Sequence, residues 1–146
     1  MALKLLKGIW FVSMVTALGT LLYVYAGLPQ NVIVQSDGAD NVSISNEVFF
    51  YVVMMLLAIS NVMVFVTKKL FEREEDFRTW FYGLIMTLNI FFVIALIYVS
   101  QFNSNERFDY ERIAFLIYGS VGLIVLWAVL WPGYLIFRRL KSKATI

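Results

Sequence analysis

The side chains able to do chemistry in this 146-residue chain are few, and their spacing limits what they can do. Glu106, Asp109 and Glu111 stand together with Arg107 and Arg112 in the stretch FNSNERFDYERIA. Paired carboxylates perform acid–base work only where a pocket shifts their pKa values. A polar stretch carrying Asn and Ser is a poor setting for such a pocket, so this group reads as a solvated loop. The chain has no His and no Cys. An imidazole base, a thiolate nucleophile, a disulfide framework, an iron–sulfur cluster and an ordinary zinc site are thereby excluded. No catalytic residue, cofactor or metal is expected, and the chain does not read as an enzyme.

Asn61, Thr87 and Asn89 are a different case, because each lies inside a long apolar run. Two readings of them differ sharply. As glue, they hydrogen-bond between neighbouring helices, each bond contributing about 0.6–2 kcal/mol in a membrane and fixing register. As a site, they form a polar layer that a solute or ion crosses. No carboxylate stands beside them, which favours glue.

The elements that must position these residues follow from the apolar runs. Hydrophobic residues make up 61% of the chain and charged residues only 15%, with a mean hydropathy of +0.78. A soluble domain is closer to half apolar and a quarter charged. Four spans are expected, at about 8–27, 48–66, 80–101 and 113–137, and none contains Asp, Glu, Lys or Arg. Each reaches the roughly 20 residues that a helix needs to cross hydrocarbon. The expected fold is therefore an all-α membrane protein of one domain, its four transmembrane helices arranged as two helical hairpins. Charge-free spans argue against proton relays, voltage sensing and most coupled transport.

Ten of the twelve Lys and Arg residues fall before span one, between spans two and three, or after span four. The positive-inside rule then predicts that both termini are cytoplasmic. The net charge of +2 gives no reason to expect nucleic acid. The start of the chain, MALKLLKG followed by apolar residues and Val24-Tyr25-Ala26, has some features of a signal peptide. Its apolar stretch exceeds the ~7–15 residues of a signal core, so a retained anchor is expected. The lack of Cys leans toward a bacterial inner membrane.

Smaller patterns add detail. Ser13, Thr16, Ala17 and Thr20 in span one, and Gly119, Ser120 and Gly122 in span four, read as packing faces where backbones approach closely. Pro132-Gly133 is expected to loosen the end of span four. Trp10-Phe11 and Trp80-Phe81 stand 70 residues apart, as do Lys68-Lys69-Leu70 and Arg138-Arg139-Leu140, a spacing compatible with internal duplication or with two similar apolar hairpins. In the loop KKLFEREEDFRTW, Glu74 and Arg78 have the favourable i, i+4 order for a helical ion pair.

Between spans one and two lies NVIVQSDGADNVSISNE. Val32-Ile33-Val34 and Val42-Ser43-Ile44 are β-prone, and Ser36-Asp37-Gly38-Ala39-Asp40 carries turn chemistry. A short outer β-hairpin is expected. An isolated hairpin is marginal in water, so this one needs the second outer loop or a partner to pack on. Val32, Val34, Asp37, Gly38, Val42 and Ile44 are the residues expected to dock that partner.

The stretch LPQNVIVQSDG resembles the corresponding loop of SdpI-type bacterial membrane proteins, a toxin-immunity and signalling family. Leu28, Pro29, Val32, Val34 and Gly38 stand at similar places, whereas Gln35 sits where that family has His and Asn46 roughly where it has Lys. The resemblance covers about 20 of 146 residues and implies no immunity role here. The reading that results is a small, non-catalytic accessory or structural subunit of a larger membrane complex, bound to the lipid bilayer and to protein partners. The alternative is a small homo-oligomeric channel or transporter with a polar layer at Asn61, Thr87 and Asn89.

Overall fold

The structure, a computed structural model, describes residues 2–37, 40–104 and 110–143. Among these residues the chain forms four α-helices and one two-stranded sheet: α1 (Ala2–Gly27), β1 (Asn31–Asp37), β2 (Asp40–Ser45), α2 (Asn46–Leu70), α3 (Glu75–Phe102) and α4 (Tyr110–Lys143). All four helices are long and apolar enough to cross a membrane. Each runs past the apolar span expected for it, because the Lys, Arg and Glu residues beside the spans are good helix formers.

Local chemistry sets the ends of α2. Ser45 caps its start, its hydroxyl accepting from the Val48 N–H at 3.3 Å. Glu47 in the first turn and Lys68 and Lys69 in the last complement the helix dipole. The Phe71 N–H donates to the Thr67 carbonyl at 2.9 Å, and only residues 71–74 separate α2 from α3. The Arg78 N–H donates to the Glu74 carbonyl.

The strands are antiparallel, with Val32 opposite Ile44 and Ile33 opposite Ser43. Pairing resumes at Gln35 opposite Val42, which leaves Val34 as the extra residue of a β-bulge. The Asn46 N–H donates to the Gln30 carbonyl at 2.9 Å and closes the base of the hairpin.

The four helices do not close into a symmetric bundle. Helix α3 is central and touches α1, α2 and α4; α1 also packs on α2, but among the described residues α4 packs on α3 alone. Both faces of α3 are accordingly buried, Tyr82, Ile85, Asn89 and Leu96 on one and Gly83 and Thr87 on the other. Besides Ala114, the less exposed of the described positions of α4 are Ile113, Ile117, Ser120, Ile124, Trp127 and Trp131. Their alternating spacing of four and three is the narrow seam of a left-handed coiled pair. Helix α4 continues through Pro132 to Lys143. A twofold relation between α1–α2 and α3–α4 would put α4 against α1, as α2 lies against α3, and that contact is absent among the described residues.

Candidate functional site

Two apolar clusters fill the space between α1, α2 and α3. The one nearer the hairpin contains Ala17, Leu21, Val24, Val32, Phe49, Leu57 and Leu96, and the other Trp10, Val64, Tyr82 and Ile85. Asn61 and Asn89 meet in the same three-helix interface, at 5% and 0% exposure. Counted along the sequence their depths differ by about 5 Å at 1.5 Å per residue, yet their amides are in direct contact. Asn61 Nδ2 donates to Asn89 Oδ1 at 2.9 Å, and Asn89 Nδ2 donates back to Asn61 Oδ1 at 3.1 Å.

Helix α1 completes the group. The Trp10 indole N–H donates to Asn61 Oδ1 at 2.9 Å, and Asn89 Nδ2 donates to the Ser13 hydroxyl at 3.1 Å. Ser13 in turn donates to the Trp10 carbonyl at 2.7 Å. The second Nδ2 hydrogen of Asn61 goes to the Leu57 carbonyl at 2.9 Å. Asn61 thus uses two donors and two acceptor sites, which is the full capacity of an amide. Through these bonds Asn61 is linked to Trp10 on α1 and Asn89 on α3.

Thr87 does not join them. It is buried, but its hydroxyl donates to the Leu84 carbonyl of its own helix at 2.7 Å. Two residues before Asn89, it falls on the opposite side of α3, one turn from Gly83 and facing the α4 side. The three polar residues therefore do not form one layer.

The α3–α4 contact rests on a reciprocal pair of indoles. Trp80 Nε1 donates to the Trp127 carbonyl at 2.8 Å, and Trp127 Nε1 donates to the Trp80 carbonyl at 2.9 Å. Gly83 makes room for this, because a Cβ at that position would overlap the Trp127 ring. Phe77 and Trp131 stack around the pair, at 5.4 Å and 5.8 Å from Trp80.

The hairpin residues divide by face. Val32 is fully buried and Ile44 packs against the adjoining cluster. Val34 and Val42 are exposed, at 44% and 52%. Val32 and Ile44 are spent on the chain's own core, whereas Val34 is the extra residue of the bulge. Asp37 ends β1, while Gly38 lies outside the described residues, as do Glu106, Arg107 and Asp109. The hairpin also has an internal anchor. The Ile33 N–H donates to Asn103 Oδ1 at 2.7 Å, and Asn103 Nδ2 donates to the Ile33 carbonyl at 3.0 Å. One side chain thus does for Ile33 what a neighbouring strand would do.

Sequence reasoning missed the part played by Trp10, Ser13, Asn103 and Gly83. Trp10 is only 7% exposed; a buried indole requires an acceptor, and that need is the available signal. The small residues were half read: Ala17 and Ser120 are buried, but Thr16, Gly119 and Gly122 face outward.

Fold and site together define a chain of four potential membrane-crossing helices, with the buried Asn61 and Asn89 hydrogen-bonded to each other and to α1. The chain matches no family model, no curated protein and no solved structure.

Proposed function

We propose that this chain is a multi-pass protein of a bacterial inner membrane, with both termini in the cytoplasm, that works as a non-catalytic accessory or structural subunit of a larger membrane complex. The observation that carries this reading is the closed amide group. Asn61 spends its whole hydrogen-bonding capacity on Asn89, Trp10 and Leu57, which suits a scaffold. Two further features support it. Among the described residues helix α4 is covered by α3 along one seam, and Val34 and Val42 are exposed apolar side chains of the outer hairpin. The chain docks its partners through these surfaces, and its task is the task of the complex it joins.

Gentle detergent extraction of the tagged chain from its own cells, followed by mass spectrometry of what stays bound, tests this. Stoichiometric partners lost on Val34→Asp and Val42→Asp support the subunit reading. A chain that runs alone or only with copies of itself refutes it.

A further inference from the structure

The rest of the chain treats the two edges of the outer hairpin differently. Ile33 of β1 has both its N–H and its C=O bonded to Asn103 on α3, so that edge is covered. Ser43 of β2 stands opposite Ile33. In an antiparallel pair, a residue whose backbone groups point away from its neighbour faces one whose groups do the same. The N–H and C=O of Ser43 therefore point outward, away from β1. Among the described residues β2 touches β1 and otherwise only α2, which follows it in the chain, and Asn41, Val42 and Ser43 are exposed. Folds blunt an open edge with Lys, Pro or a bulge. Strand β2 reads DNVSIS, without Lys, Arg or Pro, and the bulge lies in β1.

We propose that β2 pairs antiparallel with β2 of a second copy of this chain, centred on Ser43, to give a four-stranded sheet in the order β1-β2-β2-β1. Three observations select a second copy as the occupant. In this register the two Ser43 residues lie opposite each other and exchange both N–H···O=C bonds across a twofold axis, the closed symmetry of most homodimers. The same register sets Val42 opposite Ile44 of the second copy and Asn41 opposite Ser45, so no like charges meet within residues 41–45. Val42, which is 52% exposed, thereby gains a β-branched neighbour on its own face. The third observation is geometric. A twofold axis relating adjacent antiparallel strands is perpendicular to the sheet, and Val32 and Ile44 set one face of each sheet on its own helices. Both sets of helices then stand on the same side of the joint sheet, as two copies inserted in one direction in a membrane must. That last point rests on the membrane reading proposed above, while the pairing itself does not.

The test uses the full chain in detergent micelles, its dimer fraction followed by sedimentation over a range of protein-to-detergent ratios. Ser43→Pro removes only an outward N–H, and proline is tolerated on a strand edge where the N–H faces away from the ladder. The expected result is a dimer in the unaltered chain and association about tenfold weaker in Ser43→Pro, the scale for two lost hydrogen bonds. Amide exchange at Ile33 stays unchanged if the hairpin is intact. Ser43→Cys gives a second measurement that leaves the backbone as it is. Residues paired in this way have Cα atoms about 5.5 Å apart, inside the roughly 4.4–6.8 Å that a disulfide spans, so oxidation of the purified chain is expected to cross-link it. Val34→Cys, three strand spacings or about 14 Å from its counterpart, is expected not to cross-link. A monomeric chain in which Ser43→Cys does not cross-link overturns the proposal. So does a dimer that Ser43→Pro leaves at full strength, or equal cross-linking in Val34→Cys. If Ser43→Pro loosens the hairpin, the two cysteine variants decide. A Ser43 amide protected only while a different protein is bound gives the edge to another occupant and likewise overturns the pairing. A dimer with no other protein bound supports the pairing and refutes the subunit reading.

Discussion

An amide held among apolar side chains is stable only while its donors and acceptors are engaged, and Asn61 and Asn89 satisfy that condition mainly through each other. Replacing one strands the other. Asn61→Leu leaves Asn89 without the acceptor and donor that faced it, and leaves the Trp10 indole without its acceptor. The expected loss of stability is about 1–3 kcal/mol, the scale for an orphaned buried polar group. Asn61→Leu with Asn89→Leu together is expected to lose less than the sum of the two single changes, because the mutual bond is then removed from both sides. Reversible unfolding in mixed micelles measures this, and strict additivity would show that the pair is not coupled. Both Asn residues were legible in the sequence as polar interruptions of apolar runs. Their partners on α1 were not, since nothing in the spacing of Trp10 or Ser13 says which helix lies opposite.

Hydrogen bonds and close approach decide how the elements are joined, and two of them hinge on single residues. Asn103 holds both polar groups of Ile33. Asn103→Ala is expected to free the hairpin from α3 and to raise amide exchange at Ile33 by about tenfold, the equivalent of roughly 1.4 kcal/mol, while the helices stay protected. Unaltered exchange there would mean that the buried Val32 alone retains the hairpin. Gly83 is the second case. A methyl group at this position overlaps the Trp127 ring, so Gly83→Ala is expected to push α4 away from α3 and break the Trp80–Trp127 exchange. The chain has no Cys, so spin labels on Ile97 and Phe115 report the separation without background. A distance distribution that neither lengthens nor broadens would show that the indole rotates aside. The hairpin itself was foreseeable from β-prone residues flanking turn chemistry. The bulge at Val34 was not, because it depends on which side chains the three helices admit.

At the scale of the molecule, the charge distribution predicts that cysteines placed at Lys141 and at Lys69 react only from the cytoplasmic side, and one at Ser43 only from outside. A membrane-impermeant thiol reagent on intact cells checks this, and labelling at Lys141 in such cells would reverse the assigned direction. The number of long helices, their order and the hairpin between α1 and α2 were all determined by the sequence, through runs of apolar residues and the β-prone and turn residues between them. Those features arise from local physics: a backbone in an apolar run must satisfy its own polar groups, and each residue carries that demand wherever its neighbours lie. Only the tertiary structure decided that α3 is central, that α4 rests on it along one seam, and that Thr87 faces away from the Asn pair. In an apolar run every helix face is greasy, so the sequence marks no face as inward. Shape, a missing Cβ at Gly83 and the pairing of a few amides and indoles choose among packings of nearly equal apolar burial, and those choices exist only once the helices meet.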